Sequence, residues 1–245
     1  MKHWGVAAVF SFAWMVQAEA GDQLGKAALP VAAAQTWAGA YVGLNLGVAV
    51  SNSDWTVLAS TALFADGLAG DSFSQRMAGP LGGIQAGYNF QSGPTVFGIE
   101  ALANGSLFRG QRIAPFSPIA TAADDQLKVE MRALLAATGR VGYAWDNNLA
   151  YVKGGVAAAF IHASAKDTNG PTTGAGSDDN WRIGPTIGVG FETAVSRTIS
   201  VALEYNYIHL SEANYELGDG TGTYHWRIDV PDIHWVAVRL NYRFN

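Results

Sequence analysis

Residues 39–50 read GAYVGLNLGVAV, and their side chains alternate strictly between two kinds of surface. One face is aliphatic and consists of Val42, Leu44, Leu46, Val48 and Val50. The opposite face is small or polar and consists of Tyr41, Gly43, Asn45, Gly47 and Ala49. Because successive side chains of a β-strand point to opposite sides, this alternation predicts a strand with one apolar and one polar face.

The same period of two recurs seven more times along the chain, which gives eight predicted strands. The alternation that predicts the further strands occurs in residues 83–90, 97–104, 128–145, 151–160, 182–192, 199–207 and 234–244. Short turns at 91–94, 146–148 and 195–198 alternate with long polar segments at 52–76, 108–125, 166–178 and 213–231. Short turns at one end and long loops at the other are typical of bacterial outer-membrane barrels. The sequence therefore predicts an all-β protein, an eight-stranded antiparallel transmembrane β-barrel with four long extracellular loops.

Composition narrows the class of protein. Only 14% of the 245 residues are charged, against roughly 25% in an ordinary soluble domain. The net charge of -5 argues against nucleic acid as a partner. The absence of cysteine excludes a disulfide framework and cysteine-ligated metals.

The N-terminal segment resembles an export signal. A basic start precedes the apolar run 4–16, and Ala18-Glu19-Ala20 fits the small-x-small pattern of signal peptidase sites. We expect residues 1–20 to be a signal peptide, residues 21–36 a periplasmic leader, and residues 37–245 the outer-membrane β-barrel domain.

The apolar face could point either to lipid or into the core of a soluble barrel. No other apolar run reaches the length of a membrane-spanning helix, so a membrane protein of this sequence must cross as a closed barrel. Eight aromatic residues of the apolar face gather near the short turns, as in the interfacial girdle of membrane barrels. This predicted periplasmic aromatic girdle consists of Tyr88, Phe90, Phe97, Tyr143, Trp145, Phe191, Tyr242 and Phe244.

The polar face carries eleven charged residues that the alternation directs into the lumen. This predicted lumen charge network consists of Glu100, Lys128, Glu130, Arg132, Arg140, Lys153, Arg182, Glu192, Glu204, Arg239 and Arg243. Eight strands leave an interior that side chains can fill, and buried charges must be paired. The network could therefore be a polar plug, or it could line a narrow path that favours anions because bases outnumber acids.

Candidate metal and catalytic sites are weak. The long loops are acidic, with the pairs Asp124-Asp125 and Asp178-Asp179, but no spacing matches a calcium loop. His209 and Ser211 resemble the His-x-Ser of barrel lipid A deacylases, which have Asn after the Ser and Glu about a dozen residues later. Here Glu212 and Thr223 stand in those places, although Glu212, Glu216 or Asp229 could act as a substitute. We predict no catalytic residues, no metal and no cofactor, with a lipid A-modifying hydrolase as the lesser alternative.

Three segments resemble one protein family. Residues 37–47, WAGAYVGLNLG, resemble the first strand W-x-G-x-Y-x-G-x-N-x-G of small outer-membrane barrel proteins of alphaproteobacteria, the 25/31-kDa group of the porin family. Residues 82–90 resemble the second strand of that family, and residues 238–244 resemble its last strand. One departure is Asn245, which follows Phe244 where such proteins usually end on the aromatic residue.

The resemblance implies a surface-exposed structural protein of a Gram-negative outer membrane. Some members of the group have pore or haem-binding activity, and the group shares no catalytic residues. The expected partners are outer-membrane lipid and lipopolysaccharide, the barrel-assembly machinery through the C-terminal strand, and an extracellular ligand of the loops.

Overall fold

The computed structural model describes residues 35–60, 70, 72–113, 126–166, 175–211, 213–218, 223–229 and 232–244. These residues form ten strands: β1 Gly39–Ser60, β2 Ser72–Ser92, β3 Thr95–Ile113, β4 Gln126–Trp145, β5 Asn148–Lys166, β6 Ala175–Ala194, β7 Ile199–His209, β8 Ala213–Gly218, β9 Thr223–Asp229 and β10 Asp232–Phe244. In this part of the chain, no helix has the length and apolarity that a membrane crossing requires.

Eight of the strands close into an antiparallel barrel. Strands β1 to β7 pair in sequence order, and β10 pairs with β7 on one side and with β1 on the other. The closing register places Leu44 opposite Leu240. The predicted eight-stranded antiparallel barrel is therefore confirmed.

The predicted loops contain more strand than the sequence suggested. Strand β1 continues to Ser60, β3 continues to Ile113, and the predicted loop 213–231 contains the hairpin β8–β9. Strand β9 pairs with the end of β1, from Asp54 opposite Asp229 to Ser60 opposite Tyr224. The strand ends were missed because their outward side chains are polar, which removes the contrast between apolar and polar faces.

The outward faces of the barrel strands form a continuous apolar surface, here called the apolar belt. Its members include Leu44 and Ile84, each 60% exposed, whereas Asn45 on the opposite face is 6% exposed. The belt consists of the outward side chains of residues 40–50, 78–90, 97–107, 133–145, 150–160, 181–191, 199–207 and 236–244, and none of these is charged. Its height matches the about 9–11 residues that a transmembrane strand needs.

A charge placed on the belt is expected to destabilise the protein. Val238 is 56% exposed near the middle of the belt, so Val238→Arg should lower the free energy of unfolding in lipid vesicles by about 2–4 kcal/mol. The matched control is Asn52→Arg on the exposed outward face of β1 beyond the belt, which should change stability by about 0–1 kcal/mol. Equal losses in a urea titration of the two variants would contradict the lipid-facing assignment.

Candidate functional site

The barrel interior holds eight of the eleven charged residues that the sequence directed there. None of the eight is more than 6% exposed: Glu100, Arg140, Lys153, Arg182, Glu192, Glu204, Arg239 and Arg243. They lie on strands whose side chains alternate between inward and outward without a break from the short turns to these positions. The contacts among these side chains divide them into groups.

The prediction was wrong for Lys128, Glu130 and Arg132, which lie on the outer surface of β4. The register between β4 and β5 shifts between Met131 and Ala133, so Arg132 is an extra residue of β4. A one-residue insertion reverses the faces of all side chains beyond it. Val129 and Met131 therefore point inward, 0% and 1% exposed, and their charged neighbours point outward.

Four charged residues form a central ion cluster that spans the lumen. The Arg239 guanidinium donates to both Glu100 and Glu204. The Lys153 ammonium lies 2.6 Å from Glu204 Oε1 and 3.4 Å from Glu100 Oε1. Two cations thus face two carboxylates, and the cluster is neutral while it links β3, β5, β7 and β10.

Two tyrosines complete the cluster, and the sequence analysis did not single them out. Tyr41 donates its hydroxyl to Glu100 Oε2 at 2.6 Å, and Tyr151 donates to Glu204 Oε2 at 2.7 Å. Both lie on the polar face at the same period of two as the charges, so the alternation already placed them inside. A buried carboxylate needs such donors on its remaining lone pairs.

A second ionic group lies around Glu192. The Arg140 Nη1 atom is 3.5 Å from Glu192 Oε2, and Asn241 Nδ2 donates to Glu192 Oε1 at 2.9 Å. The Arg140 guanidinium also lies between the rings of Tyr41 and Tyr151, 4.7 Å and 5.0 Å from their centroids. Cation–π contacts of this kind strengthen when they are desolvated, so this group is joined to the central ion cluster.

Neutral amides continue the network across β1, β2, β3 and β10. Asn45 Nδ2 donates to Gln85 Oε1 at 2.8 Å and to Asn104 Oδ1 at 3.0 Å. Gln85 Nε2 in turn donates to Asn241 Oδ1 at 2.9 Å. These uncharged residues were not among the predicted site residues, although Asn45 belongs to the first-strand motif.

At the short-turn end of the interior, Arg243 packs against Trp37. The Arg243 guanidinium lies 4.4 Å from the centroid of the Trp37 ring and donates to the backbone oxygen of Arg197 at 3.2 Å. Trp37 is 0% exposed, and its backbone N–H donates to Gln91 Oε1 at 2.7 Å. The leader boundary predicted at residues 36 and 37 therefore lies where the chain enters this packed end.

The extracellular half of the interior is apolar, which the sequence analysis did not anticipate. Its largest side chains, Trp55, Met77, Phe108 and Trp235, are at most 2% exposed. A cavity of about 10 Å³ lies where this apolar core meets the ion cluster, lined in part by Glu100, Thr138 and Lys153. That volume is about enough for one water molecule. The interior side chains above and below this level are buried, from Trp55 and Phe108 at one side to Asn89 and Arg243 at the other.

All eight predicted girdle aromatics lie on the outer surface beside the short turns, each at least 41% exposed. Several touch one another, with ring centroids 4.8 Å apart for Tyr88 and Phe90 and 5.9 Å apart for Trp145 and Phe191. Their role at a membrane interface stays a prediction.

The candidate hydrolase pair lies on the outer surface above the belt. His209 Nδ1 is 3.2 Å from Asp232 Oδ1. The Tyr207 hydroxyl donates to the same carboxyl and, together with His209, holds the pKa of Asp232 below its usual range. Among the described residues, Ser211 forms only a backbone hydrogen bond, to Ile183.

The side chains of Glu212, Glu216 and Asp229, like those of Asp124 and Asp125, lie outside the described residues. No group of metal-binding side chains occurs in the described part of the chain.

Comparisons with known proteins agree with this architecture. A family model described as "Outer membrane protein beta-barrel domain" matches residues 24–244. The 25 kDa outer-membrane immunogenic protein of Brucella canis is 28% identical over 218 residues, which cover 89% of this chain and 84% of that protein. The 22 kDa outer membrane protein of Rhizobium leguminosarum bv. viciae is 26% identical, with coverage of 78% and 73%. Among solved structures, the attachment invasion locus protein Ail of Yersinia pestis matches with a TM-score of 0.38 and 12% identity, covering 84% of this chain and 99% of that chain.

Proposed function

Because the chain belongs to the outer-membrane β-barrel domain family and is thus an outer-membrane protein of Gram-negative type, we propose that it is a closed structural and surface protein of the cell envelope. The observation that carries this proposal is the filled interior. A role in the envelope then depends on the outer wall and on the extracellular end.

The contacts of the interior favour a plug over an ion path. The central ion cluster pairs two cations with two carboxylates, and Arg140 pairs with Glu192. A permeating anion would have to displace these partners, and leaving a buried charge unpaired is strongly unfavourable. The same ion would also have to cross the apolar core around Trp55 and Trp235, where few polar groups could replace its water of hydration.

The extracellular end provides the surface role. Strands β1, β2 and β3 continue beyond the apolar belt, and the hairpin β8–β9 extends the wall beside β1. The word "immunogenic" in the names of the Brucella relatives fits exposure of such segments at the cell surface. We assign ligand contact to this end of the barrel, and we assign contact with lipid and lipopolysaccharide to the outer wall.

The C-terminal strand suits the proposed contact with the assembly machinery. Strand β10 pairs on both sides and therefore closes the wall. Its outward aromatics Tyr242 and Phe244 lie 5.2 Å apart between ring centroids. We assign no catalytic role to His209 and Ser211, since the described contacts give the serine no base.

We expect the protein to be silent in planar lipid bilayers. Protein extracted from outer membranes should give no steady current steps, because paired charges and packed apolar side chains fill the lumen. A heat-dependent shift on gel electrophoresis serves as the control that the barrel is folded. Reproducible steps from folded protein would refute the closed lumen, and a change of ion selectivity in Arg239→Glu would then favour the small anion-preferring channel.

A further inference from the structure

Four basic residues lie close together on the outer wall just above the apolar belt. This basic patch consists of Arg76 on β2, Arg109 on β3, and Lys128 and Arg132 on β4. The three arginines are exposed and point away from the lumen. At this level, where the outer leaflet of a membrane would meet water, the outward face of the strands changes from apolar to basic.

The strand registers bring these side chains within reach of one another. Arg109 pairs with Ala78 on β2 and with Glu130 on β4. Arg76 is a diagonal neighbour of Arg109, and such neighbours are about 7–8 Å apart. Arg132 is the extra residue of β4 and follows Glu130, the partner of Arg109, on the side of the short turns. Arg109 therefore lies between the other two arginines, and one ligand can contact Arg109 together with either of them.

The charge of the patch is not neutralised by the described side chains around it. Glu130 forms an ion pair with Lys128 at 2.7 Å, and the Lys128 ammonium, with Arg132 contributing, lowers the pKa of that carboxyl. Asp54 on the neighbouring β1 accepts a hydrogen bond from Ser74. Within the described ranges, the three arginines form no ion pair, and their three positive charges outnumber the single negative charge of Asp54 on this side of the rim.

The remainder of the rim differs in chemistry. On β5 and β6, His162 lies 2.6 Å from Asp179, and on β7 and β10, His209 lies 3.2 Å from Asp232. Both pairs contain a carboxylate, so among the described side chains of the rim the excess of positive charge is on the β2–β4 side.

An apolar groove lies below the patch on the same wall. It has a volume of about 700 Å³, and its outward lining extends from Ile84 and Ala103 to Ile199 and Tyr242 beside the short turns. Ala101 and Ala103 are on the same face of β3 as Arg109, on the side of the short turns. The alanines make the wall concave there, because larger side chains flank them.

We propose that the basic patch binds the phosphate groups of a phosphorylated glycolipid of the outer leaflet, whose acyl chains lie against the apolar belt below the patch. Guanidinium groups bind phosphate through paired hydrogen bonds, which gives them strength and orientation. The proposal rests on the outer-membrane placement under Proposed function and names one site for the lipid contact assigned there.

The test is equilibrium binding of radiolabelled bis-phosphorylated lipid A to delipidated protein in detergent. Each arginine near a charged lipid surface contributes about fivefold to affinity, so the double variant Arg109→Gln/Arg132→Gln should bind about 25-fold more weakly. Arg109→Lys should retain most of the affinity. The matched control is Arg197→Gln, an exposed arginine in a periplasmic turn, which should bind like the unaltered protein.

Two further arms identify the source of the phosphate. Dephosphorylated lipid A should bind the unaltered protein as weakly as lipid A binds the double variant, and inorganic phosphate at equal concentration should not displace lipid A. Displacement by inorganic phosphate would overturn the assignment to a lipid. Equal binding by the double variant, or equal binding of the two lipids, would overturn the site itself. Neither result alters the expected silence in bilayers, because all four residues face away from the lumen.

Discussion

Arg239→Met is expected to lower the free energy of unfolding by about 3–5 kcal/mol, because it removes one partner from a buried ion cluster. Arg239 is 0% exposed and donates to both Glu100 and Glu204. Without the guanidinium, Lys153 alone would face two buried carboxylates. The measurement is a urea titration in lipid vesicles, with the heat-dependent gel shift as the check of folding.

A second variant distinguishes loss of charge pairing from loss of packing as the cause of the lower free energy of unfolding. Glu100→Gln in the Arg239→Met background should recover most of the stability, because Lys153 then faces the single carboxylate of Glu204, 2.6 Å away, and no buried charge is left without a partner. Arg76→Met, at an exposed outward position of β2, should change stability by no more than about 0.5 kcal/mol. If this double variant were as unstable as Arg239→Met, loss of charge pairing would not be the cause.

Trp235→Ala is expected to have an effect of similar size, about 3–5 kcal/mol, by a different mechanism. Trp235 is 2% exposed and lies in the apolar core of the extracellular half. Its removal leaves a cavity enclosed by a closed wall, which cannot collapse to fill the space.

A tryptophan on the outer wall is the matched control for this variant. Trp181 is 53% exposed, and its ring centroid lies 5.2 Å from that of Phe160. Trp181→Ala should cost well under half as much, because lipid or water can occupy the vacated space and only one ring contact is lost. Similar losses for the two variants would show that the upper interior is not a packed core.

The alternation of side chains predicts the wall of the barrel, but only where lipid makes the two faces differ. Glu100, Glu204 and Arg239 could be placed inside the barrel because the side chains of their strands keep an unbroken period of two. Trp55 and Phe108 fell within predicted loops, since residues such as Asp54 and Arg109 beside them are polar on the outside. The inner apolar core was therefore hidden from a pattern that contrasts the two faces.

The position of the extra residue in β4 could not be predicted either. A bulge depends on the pairing of one strand with two neighbours, and here the register shifts at Arg132 against β5. Nothing local to 128–132 shows that Val129 and Met131 point inward. The partners of each buried charge are likewise set by the closed register, which places residues of distant strands side by side.

The central ion cluster has a consequence for the order in which the barrel folds. Arg239 belongs to the last strand of the chain, and its partner Glu100 is 139 residues earlier. The contact between Arg239 and Glu100 can form only when β10 has closed the barrel, so the complete cluster is absent from any open intermediate. Long-range contacts of this kind slow folding, because chain entropy is lost before they form. They also slow unfolding when they are absent from the transition state, so closure late in folding would make the finished barrel long-lived.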